Sequence, residues 1–67
     1  KERSKISMIR EIIDTLENEM GKVIPLEAVT ERAEEKGLKT GEVEEIIEKL
    51  RRNGDLYEPR RGFLSKL

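Results

Sequence analysis

Arginine is the side chain best placed to do chemistry on a ligand in this chain. Arg60 and Arg61 stand side by side in the run Glu58-Pro59-Arg60-Arg61-Gly62, and Lys49, Arg51 and Arg52 crowd the end of an apolar-periodic stretch. A guanidinium presents a planar fork of donors that matches phosphate oxygens, and it stays charged at any working pH. Arg60 and Arg61 are therefore the first candidates for contact with a nucleic-acid backbone, with Arg52 and Lys49 behind them. A solubilising turn is the plainer reading of the same two arginines, and it stays open. Acids cluster too, at Glu42, Glu44, Glu45 and Glu48. Glu44 shares a helical face with Glu48, and Glu42 with Glu45. A calcium loop has a different spacing, however, and one helix rarely brings enough oxygens together. Glu45–Lys49 and Glu48–Arg52 fall at the i,i+4 spacing of ordinary surface pairs, so a solvated acidic face is expected and no metal.

Other chemistries are excluded by what the chain lacks. It has no cysteine and no histidine. Thiol and imidazole nucleophile pairs, disulfides and ordinary zinc sites are therefore out of reach. Gly37 and Gly41 do not have the glycine-lysine spacing of a phosphate loop, so no nucleotide site is expected in this chain. Without a catalytic constellation, the expectation is a domain that is no enzyme by itself and binds no cofactor.

The arginines need a scaffold, and its clearest part is a helix beginning at Thr40. Val43, Ile46, Ile47 and Leu50 recur at the spacing of one helical face. Thr40 is the expected cap and Gly54 the expected stop. Leu56-Tyr57-Glu58 and Phe63-Leu64-Ser65 read as strands joined through Pro59, Arg60, Arg61 and Gly62. Upstream, Ile6, Ile9, Ile13, Leu16 and Met20, widened by Ile12, predict a helix from about Lys5 to Met20. Ser4 or Ser7 would cap it and Gly21 would end it. Met8 falls off the stripe and is expected half exposed. That apolar face is expected against the domain's own core, with a docking face for a partner as the lesser reading. Lys22-Val23-Ile24 is a candidate third strand for the hairpin. Pro25 suits the first turn of a second helix, about Leu26 to Lys36, with Leu26, Val29 and Ala33 facing inward. Gly37 would end that helix and Leu38 would plug the core. The order is helix, short strand, helix, helix, strand, strand: an α+β fold, mostly α, of the winged helix-turn-helix type.

Sixty-seven residues allow one domain, taken here as 1–67 with residues 1–4 as a linker remnant. A chain of this size buries only about 60% of its unfolded surface, so its margin must come from close helix packing and good caps. The start at Lys1 instead of Met leads us to expect a piece cut from a longer polypeptide. The absence of cysteine fits a reducing cytoplasm, and no signal peptide or membrane span is evident. Charged residues make up 43% of the chain, a bias found in thermophile proteins but weak evidence in so small a domain.

The net charge of −1 conceals a pattern. Residues 1–10 carry four bases and one acid, residues 11–20 four acids, residues 41–50 four acids and one base, and residues 51–67 five bases and two acids. A dedicated duplex binder is usually basic throughout, because phosphate neutralisation supplies most of its affinity. Here the third helix holds the recognition position, yet its leading exposed residues are Glu42 and Glu45, with Glu44 and Glu48 close by. Four acids facing phosphates repel them. Lys1, Arg3 and Lys5 either add to a basic surface or belong to a linker.

The run from Val43 to Leu50, followed by Asn53-Gly54-Asp55-Leu56-Tyr57-Glu58-Pro59-Arg60 and Gly62-Phe63-Leu64, resembles the C-terminal winged-helix domain of archaeal minichromosome maintenance (MCM) replicative helicases. Ile9-Arg10-Glu11-Ile12-Ile13 and Ile24-Pro25-Leu26-Glu27-Ala28-Val29 are similar as well, so the resemblance covers essentially the whole chain. Arg61 departs from it, since the family often has proline there. The resemblance implies a hexameric, ATP-driven, ring-shaped DNA helicase whose ATP and Mg site lies in an upstream ATPase module. The winged helix would be an appended module that regulates ATPase and unwinding. Its expected partners are the parent ATPase module, replication initiator proteins and, weakly, DNA. No membrane is expected, the localisation would be cytoplasmic at the nucleoid, and the fragment itself would be monomeric. Two alternatives stand beside this reading. A winged-helix transcription regulator would dimerise on operator half-sites, and a pure assembly module would never touch nucleic acid.

Overall fold

The structure, a computed structural model, describes residues 2–67, with side chains from Lys5 onward. Three helices, α1 (Glu2–Met20), α2 (Leu26–Glu35) and α3 (Thr40–Arg52), carry a sheet of β1 (Ile24–Pro25), β2 (Leu56–Arg60) and β3 (Phe63–Lys66). All three strands are antiparallel, in the order β1-β3-β2. This is the winged-helix arrangement that the periodicities imply, with the short strand before α2 completing the sheet.

Each helix buries most of the stripe its sequence announces. Ile9, Ile12, Ile13 and Leu16 of α1 meet Val29 and Ala33 of α2 and Val43, Ile46, Ile47 and Leu50 of α3. Ile24, Leu56 and Leu64 close the core from the sheet, and Leu38 plugs it from the turn between α2 and α3. Burying one such side chain contributes about 1.5–3 kcal/mol, and with no large aromatic in the core these aliphatic contacts carry the fold. Ile6, Met8 and Leu26 are half-buried at the rim.

The helix ends differ from expectation in instructive ways. Helix α1 starts at Glu2 and runs through both Ser4 and Ser7, so neither serine caps it. The expected linker at residues 1–4 lies largely outside the described residues: Lys1 is not described, and of residues 2–4 the backbone alone is, as part of α1. Met20, assigned to the buried stripe, is 54% exposed, because the chain turns away at Gly21 before anything can cover it. Helix α2 stops one residue early, at Glu35. Lys39, not Thr40, is the cap residue of α3, with extended backbone angles (φ −89°, ψ 153°). Its N–H donates to the Glu42 carboxylate at 3.0 Å, while the Thr40 hydroxyl donates to Glu34. A carboxylate three residues into the helix does the work expected of the threonine. At the far end, Gly54 (φ 83°) lets its own N–H reach Arg51 O and the Asp55 N–H reach Leu50 O, the paired closure of a left-handed C-terminal turn. That closure turns the chain directly into β2.

Strand β1 is Ile24–Pro25, shifted from the expected 22–24. Ile24 pairs with Leu64 and is buried, and Pro25 (φ −62°, ψ 132°) pairs with Phe63 while standing at the cap position of α2. Lys22 remains attached through its carbonyl, which accepts the buried Ser65 hydroxyl at 2.5 Å. Val23 is left 44% exposed.

Candidate nucleic-acid interface

The hairpin of β2 and β3 is tighter than the sequence suggests. Pro59 and Arg60 lie within β2, so the tip shrinks to Arg61-Gly62, with Arg60 paired to Phe63. The pairing slips between Tyr57 and Arg60, where Pro59 sits. Strand β2 is at the sheet edge and its pairing is irregular around Pro59, the kind of place where a residue without an N–H is tolerated. Gly62, at φ 83°, adopts the backbone region that side chains disfavour, and both its polar groups are used: its N–H donates to the Glu58 carboxylate at 3.0 Å, and its carbonyl accepts the Leu26 N–H at 2.9 Å. The wing tip is thereby fastened to the start of α2.

Of the expected phosphate-binding residues, Arg60 and Arg61 come together and the other two do not join them as free cations. The Arg60 guanidinium lies 5.8 Å above the Phe63 ring, a cation–π contact that orients it without neutralising it. Arg61 is exposed at the tip and has no ion-pair partner among the described residues. Arg52, with its side chain 77% exposed, stands 3.8 Å from Glu48. Lys49 is exposed on α3 and is also engaged in an interaction. Sequence reasoning passed over two residues that organise this corner. Arg51 lies 3.5 Å from Glu48 and 3.6 Å from Glu58. Glu58 uses one oxygen for Arg51 and the other for the wing-tip amide, so it braces the hairpin against α3. The four-residue interval from Glu58 to Gly62 was the available signal, but it is visible only once the turn is placed correctly. A shallow groove of about 400 Å³ runs between these elements, lined by Arg51, Arg52, Leu56, Tyr57, Glu48 and Glu58.

The acidic helix also needs one correction. Glu44 and Glu45 are exposed as expected, but Glu42 is not a free reading residue. Its carboxylate accepts hydrogen bonds from the Lys5 ammonium and from the Lys39 N–H, in that order of influence, and together they hold its pKa below the ordinary carboxylate value. Lys66 donates to Asp14 and Glu17 of α1, which raises the lysine above its ordinary range. No cluster of acids among the described residues has a geometry that could hold a metal ion.

A helix-turn-helix carrying this wing matches the family described as the MCM protein C-terminal winged helix-turn-helix domain, over residues 1–66. The chain belongs to that family. It is 42% identical over 62 residues to an MCM-type protein of Methanocaldococcus jannaschii, covering 92% of this chain but 9% of the relative. A second MCM-type protein of the same organism is 39% identical over 62 residues, covering 91% of this chain and 8% of the relative. The chain thus spans less than a tenth of the length of the curated relatives it matches. No solved structure matches it significantly. No helix among the described residues is long and apolar enough to cross a membrane.

Proposed function

We propose that this MCM winged helix is an accessory domain of a hexameric, ATP-dependent DNA helicase, and that it modulates ATPase and unwinding chiefly through contacts with protein. The wing adds a weak grip on DNA phosphates. ATP and Mg would be handled by an upstream ATPase module, and the working place would be the cytoplasm, at the nucleoid. Replication initiator proteins are the further partners this reading anticipates.

One observation carries it: the exposed face of α3 presents Glu44, Glu45 and Glu48, while Arg51 and Arg52 at its end lie against carboxylates. A helix so charged is repelled from the phosphate walls of a major groove. The remaining cations of this corner, Arg60 and Arg61, are few and peripheral, which suits a supporting contact and not a primary one.

The test is to compare the full-length helicase with a version lacking this domain. ATP hydrolysis and strand displacement on a forked substrate should both change by at least severalfold. Rates that coincide for the two proteins, with hexamers intact, would refute the regulatory role.

A further inference from the structure

The face of the wing turned toward α2 holds a groove of about 460 Å³, floored by Pro25, Leu26, Gly62 and Phe63 and flanked by Glu27, Thr30 and Glu44. No lysine or arginine lines it. Glu27 and Glu44 are exposed carboxylates with no ion-pair partner among the described residues. The acids engaged elsewhere, such as Glu42, Glu48 and Glu58, are held by lysine or arginine. Leu26 and Phe63 are half-buried and form the apolar floor, with the Arg60 guanidinium 5.8 Å from the Phe63 ring at the wing side. The floor is held together by the Leu26 N–H to Gly62 carbonyl bond, which ties α2 to the wing.

We propose that this groove docks a basic segment of a partner protein. An aliphatic side chain lies on Leu26 and Phe63, and lysines or arginines beside it place their cations against Glu27 and Glu44. The inference rests on the reading that the domain acts through protein contacts, and it names the surface and the chemistry of the partner. Charge complementarity selects this occupant. Long basic side chains lay an apolar stem on such a floor while their heads stay at a charged rim. A nucleic-acid backbone would bring phosphates against two carboxylates. A second copy in a two-fold contact would press the same acidic rim against itself.

The test uses the 67-residue chain, isotope-labelled, titrated with three synthetic nine-residue peptides and a DNA duplex. One peptide has a central leucine flanked by lysines and arginines, the second replaces that leucine with alanine, and the third replaces the bases with glutamates. The first should shift the amide resonances of Leu26, Glu27, Thr30, Glu44 and Gly62, the second should bind more weakly, and the third should not bind. Glu27→Gln with Glu44→Gln should weaken the basic peptide by about fivefold at low salt, with thermal stability retained. Equal binding of the acidic peptide, shifts mapping away from this groove, duplex-induced shifts of Glu27, Thr30 and Glu44 away from the wing tip, concentration-dependent shifts without peptide, or no binding at all would each overturn the proposal. Should the peptide fail while removal of the domain still alters the helicase motor, the groove assignment falls and the accessory role stands. Should removal of the domain have no effect, the role itself falls.

Discussion

Replacing both wing arginines by alanine should nearly abolish the salt dependence of duplex binding while the domain stays folded. The magnitude follows from the charges around α3 and the wing. Arg51 lies 3.5 and 3.6 Å from Glu48 and Glu58, and Arg52 lies 3.8 Å from Glu48, so these two carboxylates offset these two arginines. Arg60 is oriented by Phe63 and Arg61 is exposed at the tip, which leaves that pair to neutralise phosphate. Two phosphates neutralised give a slope of log affinity against log salt of about −1.8, and hence about a tenfold loss between roughly 50 and 200 mM salt. A dedicated binder making six to ten phosphate contacts loses about 10³–10⁵ over the same interval. The assay is fluorescence anisotropy of a labelled random-sequence duplex across that range, on the native domain, Arg60→Ala/Arg61→Ala and Glu58→Gln. The double variant should bind with a slope near zero. Glu58→Gln, by leaving Glu48 alone to offset both Arg51 and Arg52, should steepen the native slope to about −2.7. A native slope steeper than about −5, or one that the double variant leaves unchanged, would refute the assignment of phosphate contact to the wing. Loss of the Arg60–Phe63 contact should itself cost about 0.5–1 kcal/mol of stability, too little to unfold the domain.

Three further outcomes are expected. Ile13→Val removes one methyl from a fully packed site, 1% exposed, and should cost about 0.5–1.5 kcal/mol, read as a fall of roughly 4–8 °C in Tm per kcal/mol; an unchanged Tm would show that the α1 interface is loose. Gly62→Ala meets no atom within 4 Å, so the left-handed backbone alone sets its cost, about 1–2 kcal/mol; chemical denaturation showing no loss would mean that the turn has another geometry. The pKa of Glu42 is lowered on folding, so its contribution to stability is fully present above its ordinary value of 4.5 and is lost as pH falls through the lower folded value. Glu42→Gln should therefore show a shallower acid loss than the native chain below about pH 4.5, with the two profiles parallel near neutrality; identical acid limbs would dismiss the Lys5 and Lys39 contacts.

The local elements were legible because each is written in neighbouring residues. The stripes at Ile9–Leu16, Val29–Ala33 and Val43–Leu50 and the glycines after the helices determine three helices and their inner faces without reference to anything distant. The placement of paired arginines near a turn, and of acids on the third helix, was equally visible. What went astray concerned choices between equivalent local options. Thr40 is as good a cap as any until Glu42 reaches back to Lys39, and Lys22-Val23-Ile24 looks as extended as Ile24-Pro25 until Leu64 and Phe63 set the register. Met20 continues its stripe, but nothing across from it provides a cover.

The sequence by itself determined the helix faces, the turn residues and the signs of charge on each surface, since those depend on spacing of three or four positions. Beyond local pairs such as Glu48–Arg52, tertiary structure decided which charges are spent and which are free. Glu42 meets Lys5 and Arg10 meets Asp55 across 37 and 45 residues of chain, while Glu58 binds the Gly62 amide only because the hairpin closes at Arg61-Gly62. An ion pair requires two side chains within a few ångströms, and separation along the chain carries no information about that until the core has packed and brought the elements together.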